Sequence, residues 1–242
     1  MTIDHENLRK RVSAAVRHYW QTRLLQAKRQ RSSGRADQGA RSAVTGGAQM
    51  DGFIELLTEL SIKAGVPKGC IFYNEKLELP GFFRPTKEWD MLIVRNSQLV
   101  LALEAKSQVG PSFGNNFNNR TEEAMGSALD LWTAYREGAF NKTIRPWLGY
   151  IFMLEDCNRS QTSVSVREPH FKVFPEFVGA SYGRRYELFC RKLVRERHYN
   201  VAAFLLSDRQ EGLRGEFEEP ADDLTFEIFV KSLISQISAF AV

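Results

Sequence analysis

The chain has 242 residues, 43% hydrophobic and 26% charged, with a net charge of +4. That is enough apolar material for a real core in one large domain or two small ones. No apolar run approaches the ~18 residues of a membrane span. The three cysteines, Cys70, Cys157 and Cys190, are far apart and form no CxxC or Cys/His spacing. Neither a disulfide framework nor a structural zinc site is indicated, and single buried thiols in a reducing cytoplasm are expected. The charge is unevenly spread. Met1–Arg41 holds ten Lys/Arg against three Asp/Glu, and Ser207–Glu227 holds eight Asp/Glu against two Arg. Such asymmetry predicts a basic face turned toward an anionic partner, either nucleic acid or a membrane surface.

Apolar residues from Leu8 to Leu25 recur at three- and four-residue steps, which predicts a helix over 4–31. Ser32-Ser33-Gly34 ends it, and a Gly/Ser/Ala-rich loop runs to Gln49. Asp51 is positioned to cap a second helix over 52–64. A first strand is expected over 70–79, broken by Pro80-Gly81. Residues 89–94 and 99–106 read as a β-hairpin. After it come a polar loop at 110–116, a helix at 119–138, and a strongly apolar strand at 147–154. A shorter strand is expected within 161–174. A basic amphipathic helix at 182–198, a strand at 201–206 and a closing helix at 224–240 complete the chain. Helices and strands interleave with no separate linker. This order predicts one α/β domain over 1–242, a mixed sheet flanked by helices with extra helices at both ends. Its parts would be an N-terminal helix and loop (1–50), a core holding the hairpin (51–155) and a segment completing the sheet and helices (156–242).

The hairpin carries the chemistry. Side chains alternate along a strand, so Glu104 and Lys106 share a face. Asp90 joins them only if it lies across from Glu104. That register pairs Arg95 with Leu99 around a three-residue loop, Asn96-Ser97-Gln98. A two-residue loop pairs Asp90 with Leu103 and separates the carboxylates, unless a bulge restores the register. Converging carboxylates offer hard oxygen ligands suited to Mg²⁺. Lys106 beside them could orient a water, stabilise charge on phosphorus, or take a proton if its pKa were lowered. Charges at the ends of such apolar strands are costly unless used or paired.

Asp90 followed by Glu104-x-Lys106 on the next strand resembles the PD-(D/E)xK nuclease motif, with Trp89 where that motif often has proline. The segments MDGFIELL, EWDMLIV, LEAKSQVGPSFGNNFNNRTEEAMGSALDLW and RPWLGYIFMLED make the chain similar, over essentially its whole length, to the XhoI-like type II restriction endonucleases. The resemblance implies a restriction-endonuclease-like core, with Asp90 and Glu104 as metal ligands and Lys106 as a catalytic residue. It also implies a homodimer, Mg²⁺-dependent double-strand cleavage at CTCGAG with four-base 5′ overhangs, and a cognate methyltransferase protecting host sites.

Further candidates surround the motif. Glu55 or Glu59, opposite the apolar face of the second helix, could complete the metal site, and Glu55 is favoured. Amides pair with adenine and arginine with guanine in the major groove. Asn115, Asn116 and Arg120 are therefore candidate base readers. Gln49 is another, from its glycine-rich loop. Arg184 and Arg185 are candidate phosphate contacts. His170 and His198 lack a partnered nucleophile and read as structural. Tyr19, Trp20, Leu24 and Leu25 on the first helix are candidates for the dimer interface. A structure-selective repair or junction nuclease, and a DNA-binding module without catalysis, are the other functions this pattern allows.

Overall fold

The computed structural model describes residues 4–32, 47–141 and 144–240. Most of the expected loop between the first two helices lies outside these residues. The first helix, α1 (His5–Ser32), follows Asp4, whose carboxylate accepts the Asn7 N–H. A 3₁₀ turn, Gly47–Met50, leads into α2 (Asp51–Lys63). Met50, not Asp51, occupies the capping position of α2. The remaining helices are α3 (Phe113–Arg136), the single turn α4 (Asn158–Gln161), α5 (Tyr182–Arg195) and α6 (Phe226–Phe240).

The main sheet has five strands: β1 (Ile71–Phe72), β4 (Met91–Arg95), β5 (Gln98–Gln108), β6 (Trp147–Glu155) and β7 (Val201–Ser207). They lie in the order β1-β4-β5-β6-β7. The first two pairings are antiparallel and the last two parallel, so the sheet is mixed. Parallel neighbours need a crossover, and α3 and α5 supply the two required. They also cover one face of the sheet: Ala128, Leu131, Tyr186 and Phe189 pack there on Leu92, Ala102, Tyr150 and Phe152. Helices α1, α2 and α6 cover the other face, where Val16, Leu57 and Phe229 meet Leu101, Leu103 and Ile151. With helices on both sides, β6 and β7 are buried along their whole length, as their unbroken apolar runs require.

Three expected elements differ. Of the first strand, only Ile71–Phe72 joins the main sheet. Glu78–Pro80 (β2) instead pairs with Thr86–Glu88 (β3) in a separate two-stranded sheet. Pro80-Gly81 thus opens the tip of a hairpin. No strand forms within 161–174, where Pro169 removes a ladder donor. Helix α3 begins at Phe113, so the asparagine-rich segment expected as a loop is its first turns.

The charge asymmetry is partly answered inside the molecule. Helix α1 packs against the acidic segment: Arg9 stacks on Phe217 at 4.7 Å, Arg17 donates to the Arg214 carbonyl at 2.9 Å, and His5 meets Glu227 at 2.7 Å. Tyr19 and Trp20 are core residues rather than a dimer surface, and only Leu24 and Leu25 of that expected patch are exposed.

Candidate active site

The chain changes sheets just ahead of the motif. The Trp89 N–H still bonds Leu77 beside β2, whereas the Asp90 N–H already bonds the Leu103 carbonyl of β5. Asp90 therefore stands at the junction between the small hairpin and the main sheet. The observed β4–β5 register pairs Met91 with Leu103 and Ile93 with Leu101, so the next position along sets Asp90 beside Glu104. Of the two routes the sequence left open, a three-residue loop or a two-residue turn with a bulge, the chain takes the second. Arg95 pairs with Gln98, and Asn96 and Ser97 take positive φ values of 51° and 58°. That backbone matches the twist of the strands better than an ordinary turn. A bulge after Ile93 absorbs the one-residue offset and restores the alignment.

Glu104 is only 2% exposed. Its Oε2 accepts the Tyr199 hydroxyl at 2.7 Å, and Tyr199 also reaches the Ala124 carbonyl of α3. Its Oε1 faces two ammonium groups, Lys87 Nζ at 3.1 Å and Lys106 Nζ at 3.4 Å. Lys106 also lies 3.2 Å from Asp90 Oδ2, and the Ala105 N–H donates to that same oxygen at 2.8 Å. One ammonium thus bridges the two carboxylates.

Burial alone would raise the Glu104 carboxyl, but Lys106, Lys87 and the Tyr199 hydroxyl outweigh it and hold the pKa below the usual value. Burial likewise disfavours charge on Lys106. The Glu104 and Asp90 carboxylates overcome this and raise its pKa, with Arg120 opposing them. Lys106 here is an ammonium that can orient and stabilise, not an amine poised to accept a proton.

Arg120 on α3 is near enough to act electrostatically on Lys106 and is held by Glu123 at 2.6 Å, with Asn116 half-buried and Asn115 exposed a turn earlier. The other expected residues are placed elsewhere. Glu55 is exposed on α2, which packs against the opposite face of the sheet from Glu104. Glu59 pairs with Arg11. Gln49 is buried, and its Oε1 has no hydrogen-bond partner among the described residues. Arg184 pairs with Glu187, and Arg185 donates to the Ala180 and Val164 carbonyls at 3.1 Å each. The basic face of α5 is therefore largely committed to partners within the fold. His198 lends its carbonyl to Trp132 Nε1 at 2.8 Å.

Sequence reasoning missed Lys87 and Tyr199. Lys87 had a faint signal, a basic residue shortly before Asp90. Tyr199 had none, because only the docking of the α5–β7 connection brings it to Glu104. There the Tyr199 N–H bonds Leu193, and Asn200 exchanges two hydrogen bonds with Leu148.

The oxygen donors fit a divalent ion. Asp90 Oδ2 and Glu104 Oε1 both lie against the Lys106 ammonium, so a single cation can already be shared between them. Hard carboxylate oxygens are the donors Mg²⁺ prefers.

A five-stranded mixed sheet flanked on both faces by helices is consistent with a restriction-endonuclease-like core. The family model described as restriction endonuclease XhoI matches residues 29–219. The chain is 53% identical over 210 residues to type II restriction enzyme BstVI of Geobacillus stearothermophilus, covering 85% of this chain and 94% of that protein. It is 46% identical over 198 residues to type II restriction enzyme XhoI of Xanthomonas vasicola, covering 80% and 78%. It is 44% identical over 173 residues to type II restriction enzyme AbrI of Azospirillum brasilense, covering 71% and 78%. No solved structure matches it. The chain belongs to the XhoI restriction endonuclease family and is a type II restriction enzyme by family.

Proposed function

We propose that the chain hydrolyses phosphodiesters of double-stranded DNA at a palindromic site, using Asp90, Glu104 and Lys106. The observation that carries this reading is the Lys106 ammonium spanning the two carboxylates, 3.2 Å from one and 3.4 Å from the other. Asp90 and Glu104 would hold Mg²⁺, which when bound acidifies a water and neutralises charge on the phosphate. Lys106 orients the attacking water and stabilises negative charge as it develops on the phosphoryl oxygens. The water oxygen bonds to phosphorus as the bond to the 3′ oxygen breaks, leaving 5′-phosphate and 3′-hydroxyl ends. Tyr199 fixes the inner oxygen of Glu104, so that only Oε1 is free to turn toward the reaction. Arg120, whose charge is felt at Lys106, meets the DNA near the scissile phosphate, and Asn115 and Asn116 at the same helix start meet base edges.

The resemblance of the motif segments to the XhoI-like enzymes implies the target CTCGAG cut with 5′ overhangs, action as a homodimer whose two-fold axis matches the palindrome, and a methyltransferase partner in the same cytoplasm. Plasmid DNA incubated with the protein and Mg²⁺, followed by sequencing of the ends, tests the reading. Discrete 5′-extended ends at CTCGAG are expected. A smear, cutting confined to branched DNA, or intact plasmid would sink it. Lys106→Ala should still shift a CTCGAG duplex in a gel while losing cleavage.

A further inference from the structure

Lys87 lies outside the Asp90/Glu104/Lys106 motif, yet it is bound as closely into the site as any motif residue. It sits on β3, and its side chain is 13% exposed. Its stem crosses Trp89, with Nζ 4.6 Å from the ring centroid, and Nζ also reaches the Glu88 carbonyl at 3.2 Å. The remaining contact of that ammonium is Glu104 Oε1, at 3.1 Å. Glu104 has no other free oxygen, because Oε2 is turned inward to Tyr199. Any cation that ligates Glu104 must therefore approach the oxygen that Lys87 covers.

Charge makes the same point. Asp90 and Glu104 are balanced by Lys87 and Lys106, two against two. A divalent ion entering the site meets two ammonium groups already in place, and like charges a few ångströms apart in a buried setting repel strongly. Lys106 is a quarter exposed and has room to turn outward toward solvent. Lys87 is held by Trp89 and by its strand, so it can leave Oε1 only at a cost, and its charge stays near the ion.

We propose that Lys87 is a positioning residue that stands in for the divalent ion. It holds the buried Glu104 carboxylate in place before metal arrives, and it yields Oε1 when metal binds. The cost of displacing it lowers the site's affinity for free metal. Binding then becomes favourable chiefly when the DNA phosphate adds its negative charge, so metal loading is coupled to substrate. This inference rests on the reading of Asp90 and Glu104 as metal ligands.

The test is a titration of the whole protein with Tb³⁺ at about pH 8, read by luminescence sensitised through Trp89, with and without a CTCGAG duplex. Lys87→Met keeps the stem over Trp89 and removes the charge, and Lys87→Gln is a second neutral variant should the first fail to fold. Either neutral variant should bind Tb³⁺ at least tenfold more tightly than the unaltered chain without DNA. The gain on adding DNA should shrink correspondingly. Lys87→Arg, which restores a cation, should return the affinity to within about threefold of the original. Unchanged or weaker binding in the neutral variants would overturn the proposal, since a residue that only shapes the carboxylate would lose affinity when removed. If the unaltered chain binds no Tb³⁺, or if Asp90→Asn leaves its binding intact, the metal-site reading itself fails. If Asp90→Asn abolishes binding and Lys87→Met does not tighten it, only the role of Lys87 fails.

Discussion

Two buried carboxylates on the same side of the sheet serve opposite ends. Glu104 is 2% exposed and Asp130, on α3, is 3% exposed. Asp130 accepts the Phe82 and Phe83 N–H groups at 2.7 and 2.8 Å and Arg84 Nε at 2.7 Å. These donors fix the tip of the β2–β3 hairpin against α3, and two of them are backbone that cannot exchange. Gly81 belongs to the same knot, for a Cβ there would lie 2.6 Å from Asp130 Oδ2. Glu104 instead meets two flexible ammonium groups and one hydroxyl. Both carboxyls are held below their usual pKa, against the opposing pull of burial. Burial and a shifted pKa therefore do not mark the reactive group. What separates the two is whether the partners can leave.

The largest effect should come from removing the exchangeable partner at the reactive end. Lys106→Ala should lower the cleavage rate by about 10²–10³-fold or more, measured on supercoiled plasmid, with little change in melting temperature. If cleavage were undiminished, Lys106 would be no more catalytic than Arg84.

Asp130→Ala should do the reverse. Losing three donors' worth of satisfaction should cost about 1–3 kcal/mol, read by denaturant unfolding. Cleavage measured well below the unfolding transition should change far less than in Lys106→Ala. A large loss of rate without a loss of stability would erase the distinction drawn here.

Acid should expose the same difference. The native pKa of Asp130 lies below its unfolded value, so its contribution to stability is fully present above the ordinary carboxylate range near pH 4. The contribution is lost as pH falls through the unfolded value toward the depressed native one. The stability gap between the unaltered chain and Asp130→Ala, followed by thermal unfolding across pH, should be constant near neutrality and narrow below about pH 4. A gap that widened in acid would reverse the assigned direction.

The smallest effect concerns the turn that aligns the reactive end. Ser97 holds a φ of 58°, a conformation glycine adopts without a Cβ penalty. Ser97→Gly should raise stability by a few tenths to about 1 kcal/mol and leave cleavage unchanged. Loss of cleavage would mean that Ser97 does more than close the hairpin.

Much of this molecule was legible along the chain. Most helices and the four long strands of the main sheet lie within a few residues of where periodicity predicts them, because a long apolar face has few ways to be buried. The requirement that Asp90 align with Glu104 could also be read from side-chain alternation alone. How that alignment is reached could not. Turn length and bulge offset each other, and only the finished hairpin shows which of the two routes, a three-residue loop or a two-residue turn with a bulge, the chain takes. The β2–β3 hairpin escaped notice for a related reason. Its strands have three residues each, too short to show a period, and they are stabilised by Asp130 from far along the chain.

The sequence by itself determined the fold class, the Asp-Glu-Lys spacing and the segments that tie the chain to its family, since these depend on local pattern and order. Tertiary structure decided which charges are free to act. It paired the basic α1 with the acidic segment, committed Arg184 and Arg185 to the fold, and put α2 with Glu55 on the far face of the sheet. It also gathered Lys87, from 17 positions before Glu104, and Tyr199, from 95 positions after it, around a single carboxylate. A charge is worth little in water and much when buried beside its partner, and which partner is near is fixed only once distant segments have packed.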